Sequence, residues 1–196
     1  VLIMSVDDIS NAAVTGVASL IRGTMALPHP YGRLQFGEDL ELTFNTLIGT
    51  AMNPNIAPAV VIGIEPNWTD YIVNAVAKTG KPVAGFSIER SGDLKTIEKA
   101  AWKAKEFVHY ASELPRLPVE WKDILVSTKC GESDTTSGLA SNPTVGRVYE
   151  RLEKNGNTLI FGETTEVTGA EDKIMEQCAT PEIAAQFKAA FDNYQE

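Results

Sequence analysis

The sequence predicts an α/β protein built on a doubly wound, mostly parallel sheet of about six strands, with helices on both faces in a Rossmann-like arrangement. Two observations predict this class. Short apolar runs alternate along the chain with longer segments whose apolar residues recur at helical spacing. The apolar runs are continuous rather than interrupted by polar residues, as is typical of parallel strands covered on both faces. Repeated strand–helix units of this kind join parallel strands through right-handed crossovers.

The individual elements follow from these runs and from their end signals. Thr180 before Pro181 is typical of a helix N-terminus, and Gly80 is typical of the residue just after a helix. The predicted strands cover residues 1–6, 24–27, 59–64, 83–88, 124–128 and 158–161. The predicted helices cover residues 8–21, 36–51, 67–78, 94–111, 144–153 and 181–194.

The chain is expected to divide into two β/α parts of one catalytic region. Its 196 residues suit one large domain, and its 43% hydrophobic content is enough for a core. The segment 114–122 contains Pro115 and Pro118 and has the character of a linker. The two parts are therefore predicted at 1–113 and 123–196. The chain opens directly on a strand-like run, and we interpret it as a piece of a longer protein.

Charge and composition exclude several classes of function. The formal net charge is -9 and no Lys/Arg-rich run is present, which argues against a nucleic-acid partner. No apolar run reaches the length of a membrane span, so no membrane association is expected. The 2 cysteines have unrelated positions and form neither a disulfide framework nor a CxxC site. This usage suits a reducing compartment, and we expect a cytoplasmic protein.

Reactive side chains follow the predicted strands, above all in the dense polar loop that starts at Cys130. Open α/β sheets bind ligands beyond the carboxyl ends of their strands, so these side chains are candidates for one shared site. The residues in such positions are Asp7, Asp8, His29, Tyr31, Arg33, Glu65, Glu89, Arg90, Lys129, Cys130, Glu132, Ser133, Asp134, Glu163 and Glu166.

Structural roles compete with functional ones at these positions. Asp7 and Asp8 suit helix caps better than catalysis. For His29 and Cys130, a packing role and membership of a site are both open. Ser133 does not lie in a G-x-S-x-G elbow, and no GxGxxG or GxxxxGK[ST] motif follows a strand. A hydrolase triad and a nucleotide site are therefore poorly supported.

The chemistry of a mixed His, Cys and Glu set suits a transition ion such as iron(II) better than calcium or magnesium. Such an ion chelates a 2-hydroxy acid through its carboxylate and hydroxyl groups and assists removal of the C2 proton. A Glu or His side chain then takes that proton. These groups favour β-elimination, and the alternative from chemistry alone is a non-catalytic module that binds anions at helix N-termini.

Four stretches resemble the altronate/galactarate dehydratase family, and the likeness runs along essentially the whole chain. They are residues 27–35, residues 80–83, the Cys130 loop with Ser137-Gly138 and Asn142-Pro143, and residues 162–166. The resemblance implies a metal-dependent lyase for hydroxy acids, typically linked to iron(II). The catalytic region of the family is longer than this chain.

Two departures make the chain more similar to one branch of that family. The sugar-acid dehydratases tend to carry His-x-Tyr-Gly-Cys, where this chain has Arg33 in the Cys place. They also tend to have Gly-Cys-Glu after the third strand, where this chain reads Gly-Ile-Glu at 63–65. With Cys-Gly-Glu at 130–132, both changes resemble the large (beta) subunit of (2R)-sulfolactate sulfo-lyase. This likeness implies release of sulfite from (2R)-3-sulfolactate to leave pyruvate, and a cation such as Arg33 suits a sulfonate.

On this basis the strand-end residues receive three expected roles. The expected metal ligands are His29, Cys130, Glu163 and Glu166. The expected catalytic residues are Glu132, Ser133 and Asp134. The expected substrate-binding residues are Arg33, Lys129 and Tyr31.

The expected partners are a small anionic substrate and a small second subunit or missing domain, and a homo-oligomer is open because a sheet has exposed edges. Three other functions stay open. They are dehydration of a sugar acid, a non-catalytic α/β module, and a thiol enzyme that uses Cys130 without a metal.

Overall fold

Six strands, all paired in parallel, form the framework of the protein in a computed structural model that describes residues 1–195 apart from the side chain of Thr165. The predicted α/β class is confirmed. The strands lie in two sheets of four and two strands rather than in one sheet of six. The chain divides into two compact units, Val1–Pro115 and Arg116–Glu196, and Glu196, the last residue of the predicted second part, lies outside the described residues.

In the sheet of the first unit, strands are added on both sides of the first strand. Its strands are β1 (Leu2–Ser5), β2 (Met25–Leu27), β3 (Ala59–Gly63) and β4 (Val83–Ser87), in the order β2-β1-β3-β4. Ile3 lies opposite Ala26 on one side and Val60 on the other. The chain adds β2 on one side of β1 and then adds β3 on the other side. The topological switch point, where such folds bind ligands, therefore lies between the carboxyl ends of β1 and β3.

Helices cover both faces of this sheet. They are α1 (Asn11–Leu20), α2 (Gly37–Met52), α3 (Pro66–Ala77) and α4 (Asp93–Ser112). One buried cluster joins Ile3 and Val60 to side chains of α1 and α4, and the other joins Met4 and Val61 to side chains of α2 and α3. Neighbouring strand residues point to opposite faces, so continuous apolar runs fill both clusters.

Lys81 fixes the end of α2 and gives a structural role to part of the 80–83 motif. Its Nζ donates to the carbonyl oxygens of Ala51 and Asn53, both at 2.7 Å. Burial lowers the pKa of Lys81. A cation at the last carbonyls of a helix satisfies acceptors that have no partner within the helix and complements the helix dipole.

The second unit has a smaller sheet and far less buried apolar surface. Its strands are β5 (Leu125–Thr128) and β6 (Thr158–Phe161), and its helices are α5 (Asn142–Glu153), α6 (Glu171–Gln177) and α7 (Pro181–Gln195). The sequence did not predict α6. Among the described residues of this unit, Phe191 is the one buried apolar side chain, at 7% exposure. In the part of the chain that is described, no helix is both long enough and apolar enough to cross a membrane.

Candidate functional site

Asp7, at the switch point of the first unit, is a structural carboxylate. It is 1% exposed. Its Oδ1 accepts hydrogen bonds from the backbone N–H of Ser10 at 3.0 Å and from the Ser10 hydroxyl at 2.8 Å, and its Oδ2 accepts from the N–H of Ile64 at 3.1 Å. Asp7 therefore caps the turn that precedes α1 and ties the end of β1 to the end of β3, as the cap interpretation predicts.

His29, at the end of β2, uses both ring nitrogens on the backbone. Nδ1 accepts from the N–H of Tyr31 at 3.3 Å, so the ring proton lies on Nε2, which is 3.2 Å from the carbonyl oxygen of Ser5. The side chain of Asn11 holds the backbone of His29 through two further hydrogen bonds, of 2.7 and 3.2 Å. In this arrangement the imidazole joins β1 to β2 and offers no free nitrogen to a metal ion.

Arg33 and Glu65 form an internal ion pair at the start of α3. The Arg33 Nη2 is 3.4 Å from Glu65 Oε1, and the guanidinium lies 4.6 Å from the centre of the Trp68 ring. Glu65 also accepts from the N–H groups of Asn67 at 2.7 Å and Trp68 at 2.8 Å. The carboxylate thus occupies the place that a bound anion takes at a helix N-terminus. Substrate binding by Arg33 and by the exposed Tyr31 stays a prediction.

A cavity of about 560 Å³ in the second unit lies at the carboxyl ends of β5 and β6. Thr128 pairs with Phe161 in the parallel register, so the loops that follow the two strands start side by side. The charged or thiol-bearing residues that line the cavity are Lys129, Cys130, Glu132, Asp134, Glu163 and Glu166. The two most specific stretches of the family resemblance, the Cys130 and Glu163 loops, therefore meet in one place.

Lys129 and Glu163 form an ion pair across the two loops. Lys129 Nζ is 3.0 Å from Glu163 Oε1, and this hydrogen bond with the carboxylate charge raises the pKa of Lys129. Glu163 has φ 64, in the left-handed region that a residue other than glycine rarely adopts. Such a conformation costs roughly 1–3 kcal/mol and often marks a functional site. Glu163 Oε2 is enclosed and has no hydrogen-bond partner among the side chains that the structure describes.

Cys130, Ser133 and Glu166 form a second group in the same cavity. The Ser133 hydroxyl donates to Glu166 Oε1 at 3.3 Å. Cys130 Sγ lies 3.4 Å from the carbonyl oxygen of Glu132, 4.0 Å from the Ser133 hydroxyl and 3.8 Å from that of Ser137. The thiol is thus surrounded by weak polar contacts, and Ser133 links it to a carboxylate.

Asp134 caps a helical segment that begins earlier than the sequence predicts. Its Oδ1 accepts from the Thr136 hydroxyl at 2.7 Å and from the N–H of Ser137 at 2.8 Å, and these bonds lower the pKa of Asp134. A π-helical segment, Ser137–Ser141, then leads into α5. Short π-helical segments are frequent at functional sites. Thr136 and Ser137 were missed as site residues, although an Asp two and three residues before them is a helix-start signal.

The predicted metal ligands are divided between the units. His29 belongs to the first, and Cys130, Glu163 and Glu166 belong to the second. Within residues 1–195, no three His, Cys, Asp or Glu side chains that the structure describes form a group able to hold a metal ion. These side chains alone do not fit an iron(II) site, which needs several ligands at bonding distance with open positions for substrate. The iron(II) requirement stays a prediction.

Two family models match the chain, one in each unit. Residues 1–112 match the second domain of D-galactarate dehydratase/altronate hydrolase. Residues 121–196 match the C-terminal region of D-galactarate/altronate dehydratase. The cavity with Cys130 and Glu163 lies wholly within the second match.

Curated relatives extend these matches. The chain is 57% identical over 194 residues to (2R)-sulfolactate sulfo-lyase subunit beta of Chromohalobacter salexigens, which covers 99% of this chain and 50% of that protein. It is 28% identical to altronate dehydratase of Bacillus subtilis, over 86% of this chain and 34% of that protein. It is 25% identical to galactarate dehydratase (L-threo-forming) of Escherichia coli, over 76% of this chain and 31% of that protein. The chain thus spans a third to a half of the length of these relatives.

Proposed function

The chain belongs to the D-galactarate/altronate dehydratase family, and on that premise we propose that it forms part of a lyase that releases sulfite from (2R)-3-sulfolactate. The observation that carries this proposal is the meeting of the Cys130 and Glu163 loops in one cavity beyond β5 and β6. The 57% identity to a sulfo-lyase subunit favours sulfite over water as the leaving group.

Lys129 is the cation that receives the dianionic substrate. It is 62% exposed at the cavity, and Glu163 holds its ammonium group in place through the 3.0 Å contact. A charge-assisted hydrogen bond from a positioned ammonium group to a carboxylate or sulfonate is stronger than a neutral one. The Lys129–Glu163 pair therefore orients an anionic group of the substrate at the mouth of the two loops.

Glu166 is the group that accepts the C2 proton. Among the cavity carboxylates, Glu163 is engaged by the Lys129 ammonium group. Asp134 is engaged by the helix start that it caps, and those hydrogen bonds lower the pKa of Asp134. Glu166 has no ion pair among the described residues, and the Ser133 hydroxyl fixes one of its oxygens. A carboxylate with one oriented oxygen suits proton abstraction.

The reaction balances without an external oxidant or reductant. The C2–H electron pair forms the C2=C3 double bond as the proton moves to Glu166. The C3–S electron pair leaves with sulfite. The resulting enol gains a proton at C3 and loses its O–H proton to solvent, which gives pyruvate. The predicted roles of Glu132 and Ser133 fit this scheme as groups beside the proton path.

The non-catalytic anion-binding alternative has little support at the two helix starts described above. Glu65 already fills the N-terminus of α3, and Asp134 fills the start of the helical segment before α5. An anion bound at either place would have to displace an internal carboxylate.

The test is an assay of the full natural protein with its partner subunit, prepared anaerobically with and without added iron(II). Sulfolactate, altronate and galactarate are offered separately, and sulfite, pyruvate and keto-acid products are measured. We expect equal amounts of sulfite and pyruvate from sulfolactate. Turnover of altronate or galactarate alone would instead make the protein a sugar-acid dehydratase, and no turnover of any of the three would contradict a lyase of this type.

A further inference from the structure

The outer edge of β4 is an unpaired strand edge in the part of the chain that the structure describes. Ala59 N–H donates to Pro82 O at 3.1 Å and Ile88 N–H donates to Gly63 O at 3.0 Å, so residues 82 and 88 face β3. In a parallel ladder the residues of one strand face alternate sides. The N–H groups of residues 83, 85 and 87 therefore point away from β3. The Ser87 carbonyl already accepts from the Thr96 hydroxyl.

This edge lacks the features that normally protect a strand edge. β4 reads Val-Ala-Gly-Phe-Ser over 5 residues and contains neither a charged residue nor a proline. The opposite edge strand, β2, has only 3 residues. Proteins usually shorten, charge or cover their sheet edges, because a longer uncharged edge accepts another strand.

Two cavities flank the edge of β4. One, of about 490 Å³, lies between β4, the start of α3 and the turn that follows β4. The other, of about 590 Å³, lies between β4 and α4. Phe86 and Lys99 line both cavities. An added strand at this edge would lie beside both cavities, which offer room for its side chains, as strand-addition sites do.

The charge along this edge is locally positive on a chain of net charge -9. Glu65 pairs with Arg33, Glu89 lies 3.9 Å from Arg90, and Glu106 pairs with Lys103. Among the described residues, neither Lys99 nor Lys105 pairs with a carboxylate. The Lys105 ammonium group lies 5.2 Å from the ring centre of Trp102, an exposed side chain. Among the described residues that line the two cavities, Lys99 and Lys105 have no carboxylate partner, whereas each lining carboxylate has a basic side chain within 4 Å.

We propose that an acidic, extended segment of a second polypeptide adds a strand at the outer edge of β4, with its carboxylates on Lys99 and Lys105. A second copy of this chain fits less well, because a two-fold axis at β4 would bring the same lysines together. This proposal rests on the proposed function in one respect: it gives the second subunit of the lyase a docking place.

The test uses the 196-residue chain and two labelled ten-residue peptides, one of alternating valine and glutamate and one of alternating valine and lysine. Fluorescence anisotropy measures binding at physiological and at high salt. We expect the glutamate peptide to bind at least about tenfold more tightly than the lysine peptide, and salt to weaken it. Hydrogen exchange should slow at the amides of Val83, Gly85 and Ser87 when it binds.

Matched variants separate the groove from general electrostatics. Lys99→Glu with Lys105→Glu reverses the two exposed cavity lysines and should weaken the glutamate peptide at least about tenfold. Lys78→Glu with Lys95→Glu makes the same change of charge at exposed positions outside both cavities, and should change binding less than about twofold because of salt screening.

Three results would overturn the proposal. They are equal binding of the two peptides, no slowing of exchange at the outward amides, and a self-associated chain whose outward amides are already protected. The last result would assign the edge to a second copy. Because this test needs no turnover, a chain that binds the peptide but belongs to an inactive protein would contradict only the proposed function.

Discussion

The two units of the chain use polar residues at their strand ends in opposite ways. In the first unit, Asp7, His29 and Glu65 are each held by backbone groups of neighbouring segments. In the second, Lys129 and Glu166 line a cavity and bond mainly to side chains from the facing loop. The first unit also buries apolar side chains on both faces of its sheet, whereas Phe191 is the one buried apolar residue described in the second.

This difference in bonding is the basis for placing the proposed reaction in the second unit. A strand-end carboxylate or imidazole whose hydrogen bonds are all made within the fold stabilises the fold, because its removal leaves buried donors without partners. A strand-end group that faces a cavity keeps bonding capacity for a ligand. Under the proposed function, the first unit is the structural unit and the second is the one expected to carry the reaction. Each variant below changes one side of this proposed division.

Asp7→Ala has the largest expected effect on stability. It leaves the N–H and hydroxyl of Ser10 and the N–H of Ile64 without their acceptor in a buried place. We expect the free energy of unfolding to fall by about 3 kcal/mol or more, measured by urea denaturation. Asp8→Ala, at the exposed neighbour, is the control and should cost less than about 0.5 kcal/mol. Equal effects of the two changes would argue against Asp7 as the tie between β1 and β3.

Lys129→Met tests the cavity of the second unit. It removes the ammonium group at the cavity but keeps the length of the side chain, so substrate binding should weaken while the fold stays intact. In the full natural protein, KM should rise by about 10- to 100-fold, as expected for loss of a charge-assisted hydrogen bond. Lys154→Met, at an exposed position after α5, should leave KM unchanged. A drop in thermal stability with unchanged KM would make Lys129 a structural residue.

Lys81→Met tests whether Lys81, in the 80–83 stretch of the family resemblance, stabilises the fold by holding the end of α2. The change leaves the carbonyl oxygens of Ala51 and Asn53 without their donor. The free energy of unfolding should fall by about 1–2 kcal/mol, with kcat unchanged. Lys78→Met, three residues earlier and exposed, should have little effect on either quantity. A loss of kcat at full stability would return this motif to the active site.

Asp134→Asn should change the dependence of stability on pH more than stability itself. The pKa of Asp134 is lowered in the folded chain by Thr136 and Ser137, so its contribution is full above the unfolded pKa of about 4 and is lost as pH falls through the lower folded value. Asparagine caps a helix nearly as well and does not titrate. Unfolding followed from pH 5 to pH 2 should show a shallower acid loss in the variant, and parallel curves would contradict the cap.

The sequence predicts the strands well because each is a continuous apolar run, and all six appear within one or two residues of the expected bounds. It does not show which strands are neighbours, so one sheet was expected where two are present. α6 was missed because its seven residues, Glu171–Gln177, are mostly charged and too short for a clear period. The helical segment before α5 starts at Ser137, earlier than the predicted residue 144, because Asp134 caps it. The catalytic role expected of Asp134 stays a prediction.

The meeting of the two loops was predictable because it depends on the parallel pairing of β5 and β6. The hydrogen bonds that occupy His29 were not predictable, because they depend on residues far away in the chain. The Cys130 and Glu163 loops meet because parallel pairing sets Thr128 beside Phe161. The hydrogen bonds of His29 to Ser5 and Asn11 join segments that are far apart in the chain, and no local sequence pattern predicts such bonds. The family placement from these loops is confirmed by the two family models.

The most direct test of this division is to measure kcat and melting temperature together for Glu166→Gln and Glu65→Gln in the full natural protein. Glu166→Gln should lower kcat by at least about 100-fold with a change in Tm of less than about 2 °C. Glu65→Gln should lower Tm by about 2–4 °C or more, because it weakens the cap of α3, while kcat stays within about threefold. The reverse pattern, with full activity in Glu166→Gln and a stable but inactive Glu65→Gln, would place the chemistry in the first unit.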